Sequence, residues 1–187
     1  MILNLFPTSI KYIKNFLNQE EVDRVINLYK NYNQNAHKTL KGDASSSHYD
    51  YNNIVANSFL EQKLIKIIEE YSIEIGIRKQ CIDISWINIQ RKDSKLLKHN
   101  HTTSPVSGVI YLKVDNYSSP LYLYNPNPYV YVTNTIQDKE TNFHYVSFKP
   151  EIGDLFLFPG WLFHGSDEQK NKSDERIALS FNTKDAV

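Results

Sequence analysis

Apolar positions in the first part of the chain recur at intervals of three and four. Val22, Val25, Ile26 and Tyr29 repeat this way behind Asn18, and Gln19, Glu20 and Glu21 put negative charge in the opening turn. An amphipathic helix is therefore expected from there to about Tyr32. Leu60, Leu64, Ile67, Ile68 and Tyr71 form a second stripe, capped by Asn57 or Ser58 and closed by Gly76. From Ile82 the period shortens to two. Ile82, Ile84, Trp86, Asn88 and Gln90 share one face, and Asp83, Ser85, Ile87 and Ile89 the other. Further strands are expected at Val106–Val114, Leu121–Tyr124, Tyr129–Thr133, His144–Phe148, Asp154–Phe158 and Arg176–Asn182, separated by Pro120, Pro126, Pro128, Pro150 and Gly153. Two helices followed by seven or so short strands predict an α+β layout, mainly β. The helices buttress one face of a sandwich or barrel of the jelly-roll kind.

Two stretches fit neither period. Leu3 to Ile13 reads as a short extended segment broken at Pro7. Residues 33–53 are polar, long for a plain connection, and of the kind that serves as a lid or binding segment. His37 and His48 fall there and are read as exposed loop histidines.

Composition narrows the function classes. In 187 residues, Lys+Arg and Asp+Glu both total 21, so no global basic field favours nucleic acid or anionic lipid. The cluster Arg91, Lys92, Lys95 and Lys98 is read as a solvated loop. No apolar run approaches the ~20 residues that span a bilayer, and the opening has neither a basic stretch nor a small-residue cleavage site. Cys81 is the single cysteine, which excludes an internal disulfide, fits a reducing compartment and leaves a small buried apolar group as its expected role. A cytoplasmic protein (the host cytoplasm, if viral) is expected, organised as one domain over 1–187. Residues 1–80 form the N-terminal strand and helical buttress, and residues 81–187 the β core with the site.

The candidate chemistry centres on His99-Asn100-His101. Two histidines one residue apart point to one side of an extended strand and can share a metal ion. His164, in Pro159-Gly160-Trp161-Leu162-Phe163-His164-Gly165, supplies a third imidazole from a distant strand. Arg176, Ala178 and Ser180 share one face of the last strand, and Ile177, Leu179 and Phe181 the other. An arginine facing a cavity is costly unless it meets an anion, and its planar fork suits a carboxylate. Three metal ligands plus a carboxylate clamp match the needs of an iron enzyme with an oxo-acid cosubstrate.

These blocks carry a resemblance. His99-x-His101, Ser107-Gly108-Val109-Ile110-Tyr111-Leu112, the run from Pro150 to Pro159, Trp161-Leu162-x-His164 and Arg176-Ile177-x-x-Ser180-Phe181-Asn182 follow in an order that resembles the 2-oxoglutarate/Fe(II) oxygenases often encoded by bacteria and their viruses. The resemblance implies a double-stranded β-helix (a cupin-like jelly roll) and an enzyme using Fe(II), 2-oxoglutarate and dioxygen. It implies that His101 or His99, with His164, ligates iron and that Arg176 binds the distal carboxylate of 2-oxoglutarate. With all three imidazoles as ligands, no further catalytic residue is required. Two positions depart from the superfamily: its His-x-Asp is His99-Asn100-His101 here, and its Arg-x-Ser is Arg176-x-Ala178, with Ser180 one step along. Three neutral ligands leave a ferrous site one unit more positive than two histidines and a carboxylate.

Asn88, Tyr111, Tyr122 and Ser180 are further candidates for holding the cosubstrate, and Trp86 and Tyr124 for the pocket wall. The expected reaction is hydroxylation of an unactivated C–H in a small-molecule or peptide substrate, an amino-acid or peptide type being favoured. A sheet edge rich in aromatics would permit a homodimer. Two other readings stay open: a cupin-like three-histidine dioxygenase without keto acid, and a non-catalytic jelly-roll module holding zinc.

Overall fold

The computed structural model describes residues 1, 5–29, 32–50, 53–132, 135–137, 139 and 142–186. A short strand β1 (Lys11–Ile13) precedes helix α1 (Gln19–Tyr29). Asn18 and Glu21 close the front of α1 reciprocally: the Asn18 side chain accepts from the Glu21 amide at 2.9 Å, and the Glu21 carboxylate from the Asn18 amide at 3.0 Å. The segment that follows holds β2 (Leu40–Lys41), β3 (Ala44–Ser46) and a 3-10 turn at His48–Asp50. Ser58 caps α2 (Phe59–Glu74), and Gly76 leaves it in the left-handed region at φ 71°.

Eight strands follow: β4 (Gln80–Arg91), β5 (Lys95–Leu96), β6 (Val106–Lys113), β7 (Leu121–Tyr124), β8 (Tyr145–Phe148), β9 (Leu155–Pro159), β10 (His164–Gly165) and β11 (Glu175–Asp185). The strand expected over Tyr129–Thr133 is instead a 3-10 turn, Pro128–Tyr131, with Asn127 accepting from the Tyr129 amide; Thr133 lies outside the described residues. Proline at its start fixes φ and removes a ladder donor, which favours a turn over a strand. Leu3, at the start of the expected extended segment, is also outside them.

The strands form a large sheet, β1-β9-β6-β11-β4-β3, a small one, β10-β7-β8, and the pair β2-β5. One core lies between the large sheet and the helices. It joins Val22, Val25, Leu60, Leu64, Ile68 and Tyr71 to Ile87, Ile110, Leu179 and Phe181. A second lies between the sheets, where Val109, Tyr111, Phe156, Phe158 and Ala178 meet Leu121, Leu123 and Leu162. The period-two pattern thus splits β11 as expected, with Leu179 and Phe181 in the core shared with the helices and Arg176, Ala178 and Ser180 lining the cavity between the sheets. Among the described residues no helix is long and apolar enough to cross a membrane. Cys81 is only half-buried, because it sits at the start of β4 against the Lys184 carbonyl, and does not fill the core.

Candidate metal and oxo-acid site

The cavity between the sheets encloses about 310 Å³. Three of its histidines come from two stretches of chain clamped by backbone bonds. His99 and His164 exchange both amide–carbonyl bonds at 2.9 Å, and the His101 amide donates to Gly160 at 2.7 Å. His99 therefore forms an isolated bridge to His164 of β10, and residues 99–101 form no regular strand, but the two side chains still reach the same space. The ring centroids of His99 and His164 lie 4.3 Å apart, those of His99 and His101 5.0 Å, and those of His101 and His164 5.2 Å. One potential ligand atom from each ring lies within 4.8 Å of the other two.

Backbone carbonyls orient two of the rings. His99 Nδ1 lies 2.8 Å from the Leu97 carbonyl, and His164 Nδ1 2.9 Å from that of Leu162. A carbonyl only accepts, so Nδ1 carries the proton and Nε2 keeps its lone pair for a metal. Burial holds the rings neutral. It pulls His164 well below the ordinary histidine range, with help from His99 and His101. Burial, then His99, His48 and His37, pull His101 to about 3.

The glycines around His164 are steric necessities. A Cβ at Gly160 would sit 2.1 Å from the Ser104 carbonyl oxygen and 2.7 Å from that of His101, and one at Gly165 2.9 Å from that of Leu96. Both partners are backbone, so neither can swing aside. Gly160→Ala is expected to push the 99–104 segment off β10, lowering metal affinity at least tenfold while α1 and α2 keep their helical signal. Metal titration alongside circular dichroism checks this.

On the opposite wall, β4 and β11 pair Gln90 with Arg176, Asn88 with Ala178 and Trp86 with Ser180. Arg176 is 4 % exposed. Its Nε donates to the Ser119 carbonyl at 3.2 Å, Nη1 to Gln90 Oε1 at 2.6 Å and Nη2 to the Tyr111 hydroxyl at 3.3 Å. All three acceptors are neutral. Two of its five N–H groups make no hydrogen bond, and no carboxylate pairs with it, among the described residues. Burial lowers its pKa from the usual arginine value. A buried guanidinium without a counter-ion is costly, and an arriving carboxylate relieves that cost.

Other sequence-derived candidates divide. Trp86, Asn88, Tyr111 and Ser180 all line the cavity. Asn88 Nδ2 donates to Ser180 Oγ at 3.4 Å, and the Trp86 ring stands edge-on to His48 (4.7 Å) and His101 (5.9 Å). Tyr122 and Tyr124 do not line it, because β7 alternates: Leu121 and Leu123 enter the inter-sheet core, and the tyrosines take the other face. Tyr122 packs edge-on against Tyr145, while the Tyr124 hydroxyl donates to Asp167 at 2.6 Å and its ring lies under the Lys98 ammonium.

His37 and His48 are a second correction. They line the cavity with their rings 4.9 Å apart, because the stretch from His37 to His48 folds against its mouth; residues 51 and 52 of the expected 33–53 segment lie outside the described residues. Gln90 and Ser119 are the residues that sequence reasoning missed. Gln90 already stood on the same face as Trp86 and Asn88, whereas no sequence signal pointed to Ser119.

A family model described as "Putative 2OG-Fe(II) oxygenase" matches residues 84–182, more than half of the chain. The chain belongs to the 2OG-Fe(II) oxygenase family. The oxygenase is therefore an enzyme whose family depends on Fe(II) and 2-oxoglutarate. Its fold resembles HygX from Streptomyces hygroscopicus, solved with nickel and 2-oxoglutarate bound, at TM-score 0.65 and 12 % identity over 96 % of this chain and 84 % of that one. A Pseudomonas putida prolyl-4-hydroxylase gives 0.63 and 13 %, over 96 % and 94 %. A viral collagen prolyl hydroxylase from Paramecium Bursaria Chlorella virus-1, a 2-oxoglutarate complex, gives 0.57 and 14 %, over 95 % and 96 %. At such identities the likeness establishes the fold, the double-stranded β-helix. No curated protein sequence matches the chain.

The family's cofactors fit these residues. Three neutral imidazoles with converging nitrogens suit a first-row metal about 2.1 Å from each, and a buried guanidinium with spare donors suits a carboxylate. The same burial carries a pH consequence for the metal-free oxygenase. His101 titrates near 3 and His37 near 4 in the folded state, against about 6.5 when unfolded. Above pH 6.5 both states are neutral and stability is whole. As pH falls from there towards 3, the unfolded chain takes up protons that the folded rings refuse, and stability is lost. The urea midpoint without metal should be lower at pH 4.5 than at pH 7.

Proposed function

We propose that the chain hydroxylates an unactivated C–H bond of a small-molecule, amino-acid or peptide-type substrate. His99, His101 and His164 would hold the iron, and Arg176 the distal carboxylate of 2-oxoglutarate. The observation that carries this reading is the meeting, in one cavity, of three converging imidazoles and a buried arginine with no counter-ion among the described residues. When bound, iron and 2-oxoglutarate supply the oxidising power, with dioxygen consumed, succinate and carbon dioxide released and one oxygen atom passed to the substrate.

The protein's own part is positioning. Gln90, Ser119 and Tyr111 fix the plane of Arg176 from three sides, so the cosubstrate meets a preformed fork. Asn88 and Ser180 present an amide and a hydroxyl to the same wall. Trp86 and Phe158 exclude water beside the histidines. No side chain is needed to move a proton. We take residues 1–187 as one such domain, since the helices of 1–80 and the sheet of 81–187 bury a common core.

Succinate release from 2-oxoglutarate by the Fe(II)-loaded protein, uncoupled from substrate if necessary, tests the proposal. Oxygen uptake with no succinate would favour a keto-acid-free three-histidine dioxygenase. Bound zinc with no thermal response to 2-oxoglutarate would favour a structural metal.

A further inference from the structure

The cavity is electrostatically one-sided. Its lining includes Arg176 at the buried end and Lys38 at the exposed end, five of the chain's six histidines and, among the described residues, neither aspartate nor glutamate. Lys38 forms no ion pair among the described residues. The nearby carboxylates are turned elsewhere. Asp167 accepts from the Tyr124 hydroxyl and the Lys98 amide, and Glu168 from the same tyrosine. In this reading, which rests on the function proposed above, ferrous iron and the dianion of 2-oxoglutarate cancel in charge. Because His101 stands in place of a carboxylate, nothing offsets Arg176 and Lys38, and the loaded cavity stays positive.

We infer that the oxygenase takes a small anionic substrate, whose carboxylate or phosphate pairs with Lys38 at the mouth while a flat or apolar body lies along Trp86 and His48. The site is placed for this. Lys38 follows His37, whose ring packs against His48, which in turn stands edge-on to Trp86. His37 is held by its own turn, with Nδ1 2.8 Å from Thr39 Oγ1 and accepting from the Thr39 amide. That turn fixes the backbone that presents Lys38. A cavity of about 310 Å³ is at the small end for ligand sites and must also hold 2-oxoglutarate, so the substrate is small or enters by one side chain. A free amino acid fits less well, because its ammonium would find no carboxylate among the described wall residues.

Binding can be read without turnover. Trp86 is the one tryptophan left in Trp161→Phe protein, and Mn(II) with saturating 2-oxoglutarate keeps Arg176 occupied. Trp86 emission is then titrated with benzoate, phenyl phosphate, benzyl alcohol and benzylamine. The two anions should bind roughly fivefold tighter than the alcohol and the amine weakest, and comparison of the anions separates carboxylate from phosphate. Lys38→Gln should erase the gap, and Lys38→Glu should reverse it in favour of benzylamine.

Equal affinities in the wild-type background, or an anion preference that survives Lys38→Gln, would overturn the inference. If 2-oxoglutarate fails to raise the melting temperature of the wild-type Mn(II) protein, the proposed function itself falls, and this inference with it.

Discussion

Arg176→Leu is expected to weaken 2-oxoglutarate binding by about 30-fold or more while leaving metal binding in place. Removing one partner of a buried, hydrogen-bonded charge pair costs ~2–5 kcal/mol, and ~1.4 kcal/mol is tenfold in affinity. Thermal shift reads this directly. With Mn(II) present, 2-oxoglutarate should raise the melting temperature of the wild type and not of the variant, since a ligand at a hundredfold excess over Kd contributes about 2.7 kcal/mol. Arg176→Lys should fall between, because it keeps the charge but loses the planar fork that meets Gln90, Tyr111 and Ser119 at once. A variant that still responds to 2-oxoglutarate like the wild type would mean that the acid binds elsewhere.

His164→Ala should be more severe. It removes the most buried of the three imidazoles, whose Nδ1 is held by the Leu162 carbonyl just before β10. Disturbing even the outer partners of a metal ligand costs 10- to 100-fold in affinity, so losing the ligand should cost at least about 100-fold, with succinate formation lost in parallel. His101→Asp separates the electrostatic part. A carboxylate there should still hold Mn(II) or Fe(II) but lower the charge of the site by one unit, and the expected result is weaker 2-oxoglutarate binding at retained metal occupancy. Isothermal titration of metal and then of acid distinguishes the two effects. Tighter acid binding in His101→Asp would show that the positive site is not what draws the cosubstrate.

Much of this was legible along the chain because it depends on local periodicity. The stripe Leu60, Leu64, Ile68 and Tyr71 must form one face of a helix, and the alternation along β11 must separate Arg176, Ala178 and Ser180 from Leu179 and Phe181, whatever lies beyond. Tyr129–Thr133 misled because its aromatic and branched residues suit a strand, whereas Asn127 and Pro128 favour a turn. Tyr122 and Tyr124 misled for a different reason: their common face was evident, but which face of β7 met the cavity depended on how the small sheet packs.

The sequence by itself determined the helices, the strand faces and the identity of the three imidazoles and the guanidinium, since these follow from residue type and spacing. Tertiary structure alone decided that His37 and His48 stand at the mouth, that Gln90 and Ser119 hold Arg176, and that no acid among the described residues lines the walls. Those contacts join residues dozens of positions apart, set by how the sheets and the stretch from His37 to His48 pack together, and no local pattern encodes that closure.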